Sequence, residues 1–336
     1  MRIKKEKKDE IIKDILDRVD KRKAINSFIV EKHGITRQTV NNYLRELVKN
    51  EIIEKQGKNY EIAIKVFDKK YKINGLEEDI VYEEFIKPLI VDYKSNVQMI
   101  INYSFTEMLN NAIDHSESKD VEIIAGQTYE GLAILIQDNG VGIFRKIKEN
   151  KNLKNEKQAI LELKKGKLTT DNKNHTGEGI FFTSRMTNVF KITSFGDVFT
   201  GNKKKDKIFH DFERENENYS TQVAFLVWKN SEVTPKEIFE RYQDEDDCFA
   251  KTEIIVKLVK EYEKNLISRS VAKRILNNLE KFKEITFDYK GIENIGQGFA
   301  DQIYRVFQNE NPEVILNNIN VNEEIEFMIN RAKKRM

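Results

Sequence analysis

Three hydrophobic rhythms follow one another along these 336 residues, and each admits a different kind of fold. In residues 9–19 (DEIIKDILDRV) apolar side chains return at helical spacing. Residues 24–33 form a second helical stretch that stops at Gly34, a residue suited to ending a helix. Ile35-Thr36-Arg37-Gln38-Thr39 then opens a third helix through Val40, Tyr43, Leu44 and Leu47, and residues 52–58 read as a hairpin turned at Gly57. The middle of the chain changes character. A long helix from about Val97 to Asp114 precedes four strand-like runs, Val121–Ala125, Leu132–Gln137, Lys191–Phe195 and Gln222–Trp228. That order implies an α+β domain with helices on one face of a mixed sheet. From Thr252 strands and helices alternate strictly: Ile254–Val259, Ser268–Phe282, Glu284–Tyr289, Gly298–Phe307, Glu313–Ile319 and Glu323–Ala332. This pattern argues a small α/β domain.

The expected organisation is therefore 1–65, a helix-turn-helix unit with a wing; 66–94, a linker and a helix from Leu76 to Leu89; 95–230, the α+β domain; 231–251, a linker with the acidic stretch 244–247; and 252–336, the α/β tail. Charge supports the first division. Residues 1–65 hold 17 basic and 11 acidic side chains, whereas the whole chain is only +2. A basic end is where a polyanion docks. The exposed face of the third helix is expected to present Arg37, Gln38, Asn41 and Asn42, side chains suited to phosphates and base edges. Helix-turn-helix plus hairpin resembles a winged helix of transcription regulators, which implies DNA as a partner through residues 1–65, with a homodimer on paired half-sites.

Composition excludes little else. No apolar run approaches the roughly 18 residues that span a bilayer, and no apolar segment follows the basic N-terminus as in a secretory signal. The lone Cys248 permits no intrachain disulfide and is expected to be buried or incidental. No membrane association and a cytoplasmic location are the expectations.

Chemistry concentrates in the middle domain. Glu107-Met-Leu-Asn110-Asn111-Ala-Ile-Asp-His115 puts a carboxylate and a carboxamide on one helical face four residues apart. A Glu there can polarise a water or hydroxyl, and an Asn oxygen can ligate a hard cation such as Mg²⁺. Asp138-Asn-Gly140-Val-Gly142 and Gly177-Glu178-Gly179 follow as glycine turns. There is no G-x-x-x-x-G-K-[ST] phosphate loop. In this order the three motifs resemble the N, G1 and G2 boxes of the GHKL ATPase superfamily, of the Bergerat α/β sandwich fold, over about residues 95–230. The compact N box is closest to the anti-sigma-factor serine kinases.

The resemblance implies ATP and Mg²⁺ as cofactors. It implies Asn111 as the Mg²⁺ ligand, Glu107 as general base, and Asp138 as acceptor for the adenine amine. Gly140, Gly142, Thr176, Gly177, Gly179 and Thr221 would border the nucleotide, with Asn110 and His115 as weaker candidates. Residues 143–176 would be a polar lid, with Lys165, Lys167 or His175 near the γ-phosphate.

The tail resembles an uncharacterised STAS-like family (DUF4325-type). The likeness rests on Ser268-Arg-Ser270-Val-Ala-Lys-Arg274, Thr286-Phe-Asp-Tyr289 and Ile295-Gly-Gln-Gly-Phe-Ala-Asp301. Phosphorylated STAS proteins carry a Ser or Thr directly before the helix-opening glycine. Here Ile295 stands there, after Asn294, so the acceptor hydroxyl is missing. Ser268 and Ser270 suit helix capping better than phosphorylation. Three readings follow: an ATP-dependent switch with slow Mg²⁺-dependent hydrolysis coupled to DNA or to a protein partner of the tail; a serine/threonine kinase acting on a separate STAS-like partner; and a DNA-binding regulator in which ATP is structural.

Overall fold

The computed structural model describes residues 5–166, 177–203, 219–244, 248–256, 266 and 268–334. At the N-terminus, α1 (Lys5–Asp20), α2 (Asn26–His33) and α3 (Arg37–Lys49) precede a hairpin of β1 (Ile53–Gln56) and β2 (Asn59–Ile62). Gly34 ends α2 in the left-handed region at φ 64°, donating its N–H to the Val30 carbonyl. The Thr36 hydroxyl then caps α3 by accepting from the Thr39 N–H at 3.2 Å. Ile11, Ile15, Ile29, Val40, Leu44, Leu47 and Ile53 close a core of their own.

The wing does not lead into a linker. Two residues after β2, β3 (Lys65–Lys72) begins and pairs antiparallel with β4 (Asp120–Gln127) along its whole length. This corrects the linker part of the linker and helix expected over 66–94. The strand escaped notice because an edge strand need not alternate: seven of its eight residues are exposed and four are lysines. Charge along an edge also discourages further strand addition. A short α4 (Glu78–Val81) follows, continued by a π turn (Tyr82–Ile86) and a 3₁₀ turn (Lys87–Leu89).

The long α5 (Ser95–His115) covers one face of the main sheet. The chain continues through β4, β5 (Gly131–Asp138), α6 (Ile143–Asn150), α7 (Glu156–Lys165), α8 (Gly179–Met186), β6 (Val189–Ser194), β7 (Asp197–Lys203) and β8 (Thr221–Trp228). Among the described residues the sheet order is β3-β4-β5-β8-β6-β7, antiparallel at every pairing, where a mixed sheet was expected. β7 was missed: it returns from β6 through Phe195 and Gly196, both at positive φ as a tight hairpin requires.

The segment expected as a polar lid is helical over its first part. Asn155 caps α7, which buries Ala159, Ile160, Leu161 and Leu163, so its lysines mask an amphipathic helix. The expected linker 231–251 likewise holds α9 (Pro235–Tyr242). It is started by a capping box of Thr234 and Glu237 and anchored by Ile238 and Tyr242.

In the tail, β9 (Lys251–Ile255), α10 (Arg269–Leu276), β10 (Glu284–Asp288), α11 (Gln297–Asp301) with a π turn (Gln302–Phe307), α12 (Gln308–Glu310), β11 (Ile315–Ile319) and α13 (Glu323–Lys333) follow. The three strands are parallel in the order β11-β10-β9. Ser268 caps α10, as its position suggested. The tail shares one continuous apolar core with the middle domain. Phe249 stacks on Phe181 and Phe182 of α8 at 4.5 and 5.0 Å and on Phe282 at 5.3 Å. Beside it, Lys165 is 1 % exposed. Its ammonium binds the buried Glu162 carboxylate and donates to the carbonyls of Arg274 and Asn277, at 3.1 and 2.8 Å. This ion lies inside the joint between domains, which overturns its expected place beside a γ-phosphate.

Candidate functional site

α5 is the scaffold of the site. Its buried side, from Val97 through Ile101, Phe105 and Met108 to Ala112, packs on the sheet, so Glu107 and Asn111 stand half-buried along its flank. Glu107 lies against the start of α8: a β-carbon on Gly179 would overlap its carboxylate. Gly179 is therefore fixed by close approach, and with it the backbone N–H groups that open α8 near Glu107.

At the C-terminal end of α5 the next turn is clamped just as closely. The Val141 N–H donates to the Ser116 carbonyl at 2.8 Å, and a β-carbon on Gly140 would overlap that same carbonyl. Gly142 adopts φ +83° as it caps α6, and Gly177 adopts φ +72° ahead of α8.

Asp138 ends β5 opposite Thr221, its register partner at the start of β8, on the face that α5 covers. The carboxyl is 5 % exposed and accepts the Gly140 N–H at 2.8 Å. Burial pushes its pKa up to about 6, with the Gly140 hydrogen bond pulling the other way. It is thus a desolvated acceptor that ionises near neutrality. The Thr221 hydroxyl accepts the Ile143 N–H at 3.2 Å.

Glu107 and Asn111 thus lie along the second half of α5 with Gly179 against Glu107, while Gly140 meets the turn that follows α5 at Ser116, next to Asp138 and its register partner Thr221. Asn110 and His115 are half-buried on the same helix, and the His115 carbonyl accepts from the Lys146 ammonium at 2.8 Å. Thr176, Lys167 and His175 lie outside the described residues. One side chain went unnoticed in the sequence. Burial, then the nearby charges of Glu107 and Glu178, raise the Tyr103 phenol. Tyr103 sits four residues before Glu107, a helical spacing that could have flagged it.

These residues fit Mg²⁺ and a nucleotide in their chemistry. A hard cation takes carboxamide and carboxylate oxygens, and Gly140 and Gly179 let the Ser116 backbone and the Glu107 side chain close on these turns. Cys248, expected to be buried or incidental, is exposed.

The basic end carries a second surface. Arg37, Gln38, Asn41 and Asn42 are all exposed on α3, as expected, and Arg45 joins them, donating to the Asn42 carboxamide oxygen at 3.4 Å. His33 is buried against Asp14 at 2.6 Å, and Lys32 reaches the same carboxylate at 2.7 Å. These contacts tie α1 to α2.

Comparison with known families agrees with both ends of the chain. Residues 5–66 match the winged helix-turn-helix family, and residues 269–326 match a STAS-like domain of unknown function (DUF4325). No ATPase family matches the residues between them, and no curated protein matches the chain. The protein is thus of mixed α and β structure with a winged helix-turn-helix and a STAS-like domain. Its winged helix points to a DNA-binding regulator. No described helix is long and apolar enough to cross a membrane.

Proposed function

We propose that this chain is a DNA-binding regulator whose middle domain takes ATP with Mg²⁺ and changes the behaviour of the winged helix. The observation that carries the DNA side is the exposed, capped α3 with Arg37, Gln38, Asn41, Asn42 and Arg45 on one surface, in a domain that matches winged helices. Such a helix enters the major groove and reads base edges with Arg, Asn and Gln.

Support for the nucleotide comes from the residues along α5 and at the turn that follows it. Asp138 is the acceptor for an adenine amine, and Thr221 and Gly140 border it. Asn111 offers its oxygen to Mg²⁺, and Glu107, backed by Gly179, is the general base for water. Bound Mg²⁺ would neutralise phosphate charge. The GHKL-type sandwich is part of this reading. Its all-antiparallel sheet with α5 across one face is compatible with it.

Two structural links favour coupling over an inert nucleotide. α8, which starts beside Glu107, carries Phe181 and Phe182 into the joint with the tail. The wing runs into the edge strand of the same sheet within two residues. A kinase acting on its own tail has less support, because Ile295 is buried where the acceptor hydroxyl would stand.

Calorimetric titration with Mg·ATP tests the reading. Binding is expected in the wild type and at least about tenfold weaker in Asn111→Ala, while Glu107→Gln keeps binding and loses phosphate release. Equal binding by Asn111→Ala would remove the site assignment.

A further inference from the structure

A cleft of about 440 Å³ lies between α7, α8, β7, α9 and β9, away from the Asp138 site. That volume falls in the range of roughly 300–1,000 Å³ that small-molecule sites occupy. Its walls divide chemically. Phe199, Ile238 and Tyr242 give a buried apolar floor, and Arg185, Lys164 and Arg241 bring three cations to the rim and wall.

Arg185 is held in place rather than left to swing. Its guanidinium sits 3.3 Å over the Phe181 ring and donates to the Phe181 carbonyl and the Ser184 hydroxyl, at 3.2 and 3.1 Å. The residue lies deep in the protein yet keeps partial exposure, and the cleft it lines is where a ligand could reach it. Two carboxylates, Glu237 and Glu253, also line the cleft, and that of Glu237 is turned to the Thr234 N–H at 3.1 Å. Lys165 adds no charge to the balance, because Glu162 neutralises it. The cations exceed the carboxylates by one.

We propose that this cleft is a second small-molecule site, one that takes an organic anion with a flat apolar body. The anionic group meets Arg185, with Lys164 and Arg241 at the rim, and the body lies on Phe199, Ile238 and Tyr242. A preorganised guanidinium stacked on aromatic rings is suited to carboxylate, sulfonate or phosphate groups. The site joins α7, α8 and the first strand of the tail, so an occupant would stiffen the joint between domains. The proposal does not rest on ATP binding.

Fluorescence titration of the full chain with 1-anilinonaphthalene-8-sulfonate tests it. One saturable equivalent is expected, with the uncharged N-phenyl-1-naphthylamine at least about tenfold weaker. Thr200→Trp fills the cleft and should abolish the signal. Arg241→Gln, at an exposed position, should weaken binding about fivefold with an unchanged melting curve. Absent or unsaturable wild-type binding overturns the proposal, as does equal affinity for the uncharged dye. Unaltered affinity in a folded Thr200→Trp protein does the same. Should that variant not fold, unchanged affinity in Arg241→Gln decides against the site.

Discussion

The winged helix and the remainder of the chain are closed in opposite ways. The winged helix seals nine buried apolar residues in a core of its own, and among the partly buried hydrophobics packed on that core Tyr129 alone comes from outside residues 5–66. The middle domain and the tail, which look like two domains by hydrophobic period, share one core from Val81 to Ala332. An ion pair within α7 is buried at their joint, its lysine donating to carbonyls of the tail, and aromatic rings pack across the same joint. A shared core makes two motifs one mechanical body, while a private core leaves a reader that can be presented or withdrawn as a unit.

The largest expected effect strikes that difference directly. Lys165→Ala leaves Glu162 buried without its cation and should cost about 3–5 kcal/mol. Trp228, the sole tryptophan, sits in β8 and reports the middle domain. Urea unfolding followed by its fluorescence should shift together with the tail. Leu44→Ala in α3 should cost about 2–5 kcal/mol of winged-helix stability and leave the Trp228 transition in place. If both variants moved both transitions equally, the distinction between private and shared core would fail.

Asp138→Asn sharpens the comparison at the site. The folded carboxyl titrates near 6 instead of near 3.8, so the native state binds the proton more tightly than the unfolded chain does. Its charged form therefore destabilises the fold fully above about pH 6 and not at all below about pH 4. The neutral amide should stabilise the ligand-free protein by up to about 3 kcal/mol at pH 7–8. That gain should vanish by pH 4 in denaturation curves taken across the range. By the same titration, Mg·ATP affinity in the wild type should fall as pH drops through about 6.

Gly140→Ala sets a side chain against the Ser116 carbonyl, a backbone group with no room to yield. A loss of about 1–3 kcal/mol is expected. Gly179→Ala meets the Glu107 side chain, its carboxylate first, rather than backbone, so it should cost less in thermal melting while reducing phosphate release.

The smallest effect on stability belongs to the α3 surface. Arg37→Ala and Arg45→Ala should leave melting within about 0.5 kcal/mol of wild type. Any contact these side chains make to phosphate should show as a drop of about one in the log–log salt slope of DNA binding.

Local rules made the winged helix legible. Gly34 and Thr36 mark its turn by chemistry that depends on near neighbours alone, and the structure ends and caps the helices there. The tail was legible for a similar reason, since buried parallel strands and amphipathic helices alternate in plain periods. β3 and α7 were hidden because their lysines made them look like solvent-exposed linker and loop. In β3 the charge protects an edge, and in α7 it decorates the outside of a helix whose inside is buried.

Lys165 shows the limit most sharply. A lysine beside a glycine motif invites a phosphate reading. Only the placement of Arg274 and Asn277, more than a hundred positions away, turns it into a buried rivet. The candidate site was legible as three short motifs, and the structure adds Tyr103, which no motif contains, its phenol raised by burial and then by the nearby Glu107 charge.

Fluorescence anisotropy of a labelled DNA duplex, titrated with the full chain at several salt concentrations, addresses the central claim most directly. The titration is run with and without Mg²⁺ and a non-hydrolysable ATP analogue. Affinity should fall along a straight log–log line with salt, and the nucleotide should shift it by at least about fivefold. Salt-insensitive or absent DNA binding, or isotherms that superimpose with and without nucleotide, would contradict an ATP-responsive DNA-binding regulator.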